Sequence, residues 1–211
     1  MLALFPLQSV VFPGERLPLH IFEDRYQQLI KDCEEDGINF GIPTFINNKL
    51  EYGTLVELKE VVNRYEDGPS DVICNGIKVF KVNTFYETMP GKLYAGGEVT
   101  FQENIEDGTP DKQAHFYELI LKLYQALELP KPAIEVNELT SFSLSHKIGL
   151  SLEQEYKLLS ITSEAVRIDF LIHHLIVVIP MIKQLNRMKE VIQMNGHFKN
   201  FDPLDFKEFK V

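Results

Sequence analysis

LFPLQSVVFPGERLPLHIFEDR, residues 4–25, is the stretch that decides the fold. Its two apolar runs, residues 4–7 and 10–12, predict short β-strands, and the Pro13-Gly14 pair that follows predicts a turn. Because proline has no backbone N–H, strand pairing beside such residues is expected at a sheet edge or a strand end. Residues 16–21 then alternate polar and apolar side chains, which predicts a strand with one buried face.

A helix is expected directly after this strand. From Glu23 the apolar residues recur at helical spacing, and Gly37 follows a polar final turn as a C-terminal cap. Tyr26 falls on the apolar face, so it is expected to be buried and structural. Residues 34–36 are three acids that oppose the helix dipole. A solvated face explains them, and a docking patch for a basic segment is the alternative.

Residues 38–105 have the pattern of a small antiparallel sheet. Strands are predicted at residues 38–45, 50–65, 72–86 and 93–101, separated by turn-forming sequences. Asn47-Asn48 is a hairpin turn signal, and Asn75-Gly76 interrupts the longest strand where a bulge would let a barrel close. The sequence therefore predicts a twisted barrel or pseudo-barrel.

Beyond a junction at residues 105–110 the chain is expected to be helical. Helical structure is predicted around residues 116–127, 138–147, 151–159 behind a Ser151 N-cap, and from Glu164 past Pro180 to about residue 194. The tail, residues 197–211, spaces four phenylalanines between charges and is expected to pack on the body or to bind elsewhere.

The predicted fold class is therefore α+β. An N-terminal β-rich subdomain with one early helix, residues 1–105, is followed by a C-terminal helical subdomain, residues 111–211.

The composition limits the classes of function. Lys and Arg number 21 against 31 Asp and Glu, which gives a formal net charge of −10. Binding to a nucleic-acid backbone needs clustered cations, so nucleic acid is not an expected partner. Cys33 and Cys74 form no CxxC pair and are expected to be buried free thiols in a reducing compartment.

No membrane association is expected. No basic leader precedes the first apolar residues, and the apolar run at residues 168–182 is read as too short and too polar to span a bilayer. The expected location is the cytoplasm.

Catalytic and metal-binding motifs are not evident. The sequence contains no GxxxxGK[ST] segment that would bind ATP. His173 and His174 are adjacent, so on a helix their imidazoles point about 100° apart and cannot easily share an ion with Asp169. Glu23 and Asp24 begin a helix, where their charge complements the dipole. We therefore expect no catalytic residue, no metal site and no cofactor.

The opening stretch resembles the start of the Lon substrate-binding (Lon N-terminal) domain family, especially its stand-alone members. The similarity continues through Phe40-Gly41, residues 53–55 and NGIKVFKV at residues 75–82, and more loosely through residues 146–159. It implies a PUA-like sheet and a substrate- or protein-binding module without catalysis. Residues 67–70, DGPS, repeat four letters around the nucleophilic serine of that family's protease domain, but the glycine and proline here act as turn formers.

The predicted function is binding of unfolded or extended polypeptide, or of a protein partner, without ATP, as in protein quality control. Exposed apolar side chains beside unpaired backbone suit this task. Phe12, Phe45 and Ile46, next to two predicted turns, are the predicted peptide-binding residues. Two alternatives remain open: a hydrolase that uses residues such as Ser145 and His146 with an acid, and a structural subunit of a protease complex.

Overall fold

The chain forms one mixed sheet with helices packed on it. The computed structural model describes residues 1–198. The strands are β1 (Leu2–Leu4), β2 (Arg16–Ile21), β3 (Phe40–Pro43), β4 (Tyr52–Arg64), β5 (Ser70–Tyr86) and β6 (Ala95–Phe101). The α-helices are α1 (Asp24–Asp36), α2 (Pro110–Ala126), α3 (Leu152–Ser160) and α4 (Glu164–Phe198). The predicted α+β class, a β-rich part followed by a helical part, is confirmed.

The sheet curls back on itself. The strands run in the order β2-β5-β4-β3-β1-β6, and β6 also pairs with β5. Strands β1 and β3 are parallel, and the other pairs are antiparallel. The 17 residues of β5 make this closure possible, because the first part of the strand pairs with β2 and the later part with β6. The result is the predicted pseudo-barrel, with β2 at the free end of the strand order.

A bulge bends the longest strand. The ladder between β4 and β5 skips Ile77, which is the extra residue of the bulge. Gly76 beside it approaches the loop before β2 so closely that a Cβ atom there would lie 2.2 Å from the carbonyl oxygen of Phe12. The break predicted at Asn75-Gly76 is therefore confirmed, and the close approach explains the glycine.

The stretch that decides the fold behaves largely as expected. Strand β2 and helix α1 match their predicted bounds, and Gly37 ends α1 in the left-handed region with φ 65°. The predicted strand at residues 4–7 is wrong in detail, because β1 covers Leu2–Leu4 and Leu7 makes only an isolated bridge. Residues 10–12 form buried irregular backbone instead of a strand, held partly by the Thr54 hydroxyl, which donates to the Val11 carbonyl over 2.5 Å.

The helical part differs from prediction at one place. Residues 138–147, predicted as helical, are mostly irregular with short 3-10 turns at Val136–Glu138 and Ser145–Lys147. Side chains hold this segment where regular hydrogen bonds are missing, as in the bond from the Ser145 hydroxyl to the Ser141 carbonyl. The predicted Ser151 cap is confirmed as a full capping box at the start of α3.

Two apolar clusters form most of the core. One lies between the sheet and α1 and includes Phe40, Val56 and Leu29. The other fills the helical part, and it also contains Val10, Phe12 and Val79 from the β-rich part. The helical part is therefore packed onto the sheet rather than tethered to it.

Helix α4 is longer than the apolar run that the sequence indicated. Residues Glu164–Gln193 are long and apolar enough, by length and composition alone, to cross a membrane, although a third of an apolar 18-residue segment within them is buried in the fold. The expectation that the run is too short is therefore wrong. Leu171 and Leu175 in its first half are fully buried, as in a core helix. The predictions for the tail beyond Phe198 lie outside the described residues.

Candidate functional site

A cleft of about 1060 Å³ lies where the helical part meets the sheet. One wall comes from the Pro13-Gly14 turn and the bulge of β5, and the other from residues 140–147 and the start of α4. Exposed Ile77 and half-buried Phe142 supply apolar surface. Ligand sites occur preferentially at such junctions between substructures, so we take this cleft as the candidate site.

Arg167 holds the back of the cleft in place. Its buried guanidinium donates to Asn104 Oδ1 (2.5 Å), to the carbonyls of Ile161 (2.6 Å) and Thr162 (3.0 Å), and to Glu164 Oε2 (2.6 Å). The same group lies 4.4 Å from the centroid of the Phe142 ring. Its donors are thus used inside the protein, so Arg167 shapes the wall rather than binding a ligand.

Ser141 completes this network. Its backbone N–H and hydroxyl each donate to the Glu164 carboxylate over 2.7 Å, and its hydroxyl oxygen accepts from Arg167 Nε over 2.7 Å. The irregular 139–147 segment is therefore fixed to the start of α4 by buried charge-assisted hydrogen bonds, which makes this wall rigid.

His146 closes one end of the cleft. Its Nε2 lies 3.1 Å from Glu15 Oε2 and its Nδ1 lies 2.8 Å from Glu155 Oε1. The hydrogen bond to Glu15, helped by that to Glu155, raises the pKa of His146 to about 9. The imidazolium therefore donates from both nitrogens at neutral pH and ties the loop before β2 to α3.

Two of the three predicted peptide-binding residues are buried. Phe12 is 1% exposed, and its ring lies under the cleft against Phe142 and His146. Ile46 is 8% exposed, in the hairpin that Asn47 and Asn48 close with positive φ values. The prediction that these two are exposed is wrong, because the helical part covers Phe12 and Ile46 is buried where it pairs with Lys49 across the turn.

Phe45 lies on a separate, smaller depression. It is 36% exposed and lines a groove of about 560 Å³ together with Phe85 and Leu93, which are also exposed. Arg25 lines the same groove, pairs with Glu23 and lies over the Tyr26 ring. The role of Phe45 in peptide binding stays a prediction. We refer to this depression as the Phe45 groove.

The hydrolase alternative has no geometric support. Ser145 is buried and donates its hydroxyl to the Ser141 carbonyl over 2.6 Å. Both ring nitrogens of His146 contact carboxylates, so neither is free to accept a proton from that serine. Within residues 1–193, no group of three or more His, Cys, Asp or Glu side chains could hold a metal ion.

The acidic end of α1 is partly neutralised. The Glu34 carboxylate pairs with the Arg64 guanidinium, and Glu35 Oε1 lies 3.7 Å from Lys31 Nζ. Such exposed pairs agree with a solvated helix face.

Sequence reasoning missed the residues that build the cleft. Ile77 looked like one more apolar residue of a strand, and only the register shows that it lies in the bulge. Arg167 did carry a signal, since a cation within an apolar helical run must be paired when buried. Its partners Asn104 and Ser141 are 63 and 26 residues away and have no motif of their own.

Comparisons with known proteins agree with one another. The family model described as the ATP-dependent protease La (LON) substrate-binding domain matches residues 1–184. The Lon protease of Parabacteroides distasonis is 26% identical over 222 aligned residues, which cover 92% of this chain. The chain spans only 25% of the length of that protease.

Two solved structures share the fold. The crystal structure of a Lon N-terminal domain protein from Xanthomonas campestris has a TM-score of 0.63 and 28% identity, covering 82% of this chain and 96% of that one. The N-terminal domain of a Mycobacterium avium complex Lon protease has a TM-score of 0.66 and 18% identity, covering 82% and 97%.

Proposed function

Since that family model matches 184 of the 211 residues, the chain belongs to the Lon substrate-binding domain family, and from this premise we propose that it binds unfolded or extended polypeptides without catalysis of its own. The family supports substrate recognition in general terms. The kind of substrate, the surface that binds it and the independence from ATP are the parts that we propose.

The observation that carries the proposal is the mixed chemistry of the cleft. An extended polypeptide offers apolar side chains together with unpaired backbone N–H and C=O groups. Ile77 and Phe142 line the cleft and suit the apolar side chains of such a chain, and Gln102 and Gln113, which also line it, carry amides that suit its backbone groups. Groups of both kinds along one opening suit sequence-tolerant binding.

The charged residues at the cleft favour binding of polypeptides with different net charges. Arg16, Lys78 and Lys147 line it in a chain whose formal net charge is −10. Glu103 and Glu106 line it as well. A polypeptide that carries charges of either sign can therefore meet an opposite charge at this site, which favours association over repulsion.

Independence from ATP is supported by the sequence, which contains no phosphate-binding GxxxxGK[ST] loop in its 211 residues. A structural role within a larger protease complex is a second proposal. It rests on the match to a quarter of the length of a Lon protease. A role in protein quality control follows if the clients are unfolded chains.

We also propose a reducing compartment, such as the cytoplasm. Cys33 and Cys74 are buried free thiols, and burial raises the pKa of each to about 12. Inert thiols of this kind are typical of proteins from reducing compartments.

Equilibrium binding of fluorescently labelled, unfolded casein without nucleotide tests the proposed function. We expect saturable binding that a second unfolded protein competes away and a folded protein of similar size does not. Absence of binding at about 100 μM protein, corresponding to less than ~5.5 kcal/mol of binding free energy, would overturn the proposal.

A further inference from the structure

The charged side chains of the cleft are not spread evenly along it. His146 closes one end, where its imidazolium donates to Glu15 and Glu155. Arg16 and Lys147, the next residues in the sequence after Glu15 and His146, line the cleft at this same end. We call Arg16, His146 and Lys147 the cationic end of the cleft.

The carboxylates at this end are already bonded, whereas two of the cations are not. The side chains of Glu15 and Glu155 are 25% and 13% exposed, and both accept from His146. Glu15 also accepts from a backbone N–H over 2.8 Å. Arg16 and Lys147 are exposed and form no ion pair with another residue that the structure describes. The charge that a ligand meets here is therefore positive.

The bulged part of β5 runs along one wall of the cleft and leads away from this end. Gly76 donates its N–H to the Glu15 carbonyl, and Val79, three residues later, accepts from the Gln102 N–H. Three residues of strand cover on the order of 10 Å. Glu103, which follows Gln102, therefore lines the cleft about one Debye length from the cationic end.

The remaining charged residues keep the two ends different. Glu106 lines the cleft with Glu103, and neither forms an ion pair with another residue of the described chain. Lys78 lies on β5 between the two ends. Arg167 and Glu164 pair with each other and add no net charge. A carboxylate is therefore attracted to the cationic end and repelled at the end with Glu103 and Glu106.

We propose that the cationic end binds a carboxylate of the polypeptide client, beside apolar client residues that lie on Ile77 and Phe142. This inference rests on the proposed function and adds the class of polypeptide: an apolar segment next to an acidic side chain or a free C-terminal carboxylate. Arg16 follows the turn of one wall and Lys147 belongs to the other wall. A carboxylate between the walls thus accepts charge-assisted hydrogen bonds from both.

Local charge outweighs the net charge of the chain at this site. The formal net charge is −10, which by itself would repel an acidic client. Screening reduces that repulsion beyond about 8 Å at physiological ionic strength, so the nearest charges dominate. An exposed charge pair contributes up to about fivefold in affinity, and two pairs therefore predict roughly threefold to tenfold tighter binding of a carboxylate client.

Fluorescence anisotropy with labelled peptides tests this inference. One apolar peptide is made in three forms: with two aspartates beside the apolar block, with two asparagines in their place, and with the asparagines and a free C-terminal carboxylate. The first two forms have an amidated C-terminus. We expect the wild type to bind at least one carboxylate form roughly threefold to tenfold more tightly than the neutral form. The form that gains affinity identifies the source of the carboxylate.

Charge variants locate the preference. Arg16→Gln and Lys147→Gln should each reduce the preference for a carboxylate and bind the neutral peptide as the wild type does. Lys183→Gln is the matched control, because Lys183 is an exposed lysine on α4 that does not line the cleft. Lys147→Glu should favour a peptide with two lysines in place of the aspartates. Circular dichroism establishes that the variants are folded.

Two results would overturn the inference and leave the proposed function standing. One is equal affinity of the wild type for the neutral peptide and both carboxylate peptides. The other is a loss of preference in Lys183→Gln as large as in Arg16→Gln and Lys147→Gln. Binding of none of the peptides would instead overturn polypeptide binding in the cleft, and this inference with it.

Discussion

The ring of Phe12 stacks on the ring of Phe142, with centroids 5.2 Å apart and planes inclined by 22°. One ring comes from the loop before β2 and the other from the irregular segment of the helical part. Phe142 lines the cleft and Phe12 is buried behind it, so this contact joins the two parts of the chain beneath the cleft. The cleft therefore depends on packing between residues that are 130 positions apart in the sequence.

Phe12→Ser should lower the free energy of unfolding by about 3–5 kcal/mol, because it removes a fully buried aromatic ring and leaves a cavity with a hydroxyl in it. Urea unfolding followed by circular dichroism measures this loss. Phe45→Ser serves as the control and should cost less, about 1–2 kcal/mol, since Phe45 is partly exposed. Equal stability of the two variants would show that the stacked pair does not hold the parts together.

His146 should make stability depend on pH in the alkaline range. Its pKa is raised from 6.5 to about 9 in the folded chain, so the stabilisation is complete below pH 6.5 and is lost as the pH rises through 9. We expect about 1–2 kcal/mol, less than the full shift implies because a third of the side chain is exposed.

The difference in unfolding free energy between wild type and His146→Gln, measured at pH 6, 8 and 9.5, isolates this contribution. It should shrink steadily with rising pH. His173→Gln, at an exposed position on α4, provides the control and should show no such trend. A His146→Gln difference that stays constant from pH 6 to 9.5 would contradict the bridge between the two carboxylates.

Limited proteolysis with a glutamate-specific protease should cut after Glu128 or Glu135 before it cuts after Glu106. The segment 127–135 is mostly exposed. The junction at residues 105–110 is held more firmly: the Ile105 backbone bonds to Thr162 and Glu164, and the Asp107 carboxylate accepts from Ser163 and Ala165. Mass spectrometry of early fragments identifies the first cut. Early cleavage after Glu106 would show that the junction opens despite these bonds.

Tyr26→Ala should cost about 3–5 kcal/mol of unfolding free energy, because the side chain is buried and its ring centroid lies 3.8 Å from that of Phe5. Chemical denaturation measures the loss. Casein binding at low temperature, where the variant remains folded, should be kept. A variant with unchanged melting temperature and lost binding would instead make Tyr26 part of the binding surface.

Local sequence signals located the elements whose structure is decided locally. Strand β2, helix α1 with its Gly37 cap, and the Asn47-Asn48 turn depend on alternation, helical spacing and residues that tolerate positive φ, which are readable within a few positions. The β5 bulge was readable in the same way, because Gly76 allows a backbone approach that other residues would block.

The binding surface was less predictable, because burial of Phe12 is decided by residues far along the chain. Its apolar character and its place beside a turn suit an exposed site as well as a core, and only contact with Phe142 and His146 distinguishes them. Residues 138–147 were misassigned for a related reason. Their backbone is held by a side-chain network of Ser141, Glu164 and Arg167. The spacing of apolar residues within the segment gives no sign of this network.

Polypeptide binding in the cleft is the central claim, and Ile77 tests it most directly. Ile77 is 41% exposed, lines the cleft and lies in a bulge, so Ile77→Ser should leave the fold intact. Loss of about 1 kcal/mol of apolar contact with a client predicts roughly fivefold weaker binding of unfolded casein. Val62→Ser is the matched control, because Val62 is a similarly exposed β-branched residue that does not line the cleft.

The deciding measurement is the casein dissociation constant, obtained by fluorescence anisotropy without nucleotide, for wild type, Ile77→Ser, Val62→Ser and Phe45→Ser. The cleft account predicts weaker binding for Ile77→Ser and wild-type binding for Val62→Ser. Wild-type affinity in Ile77→Ser together with weakened binding in Phe45→Ser would contradict it and would place the polypeptide in the Phe45 groove.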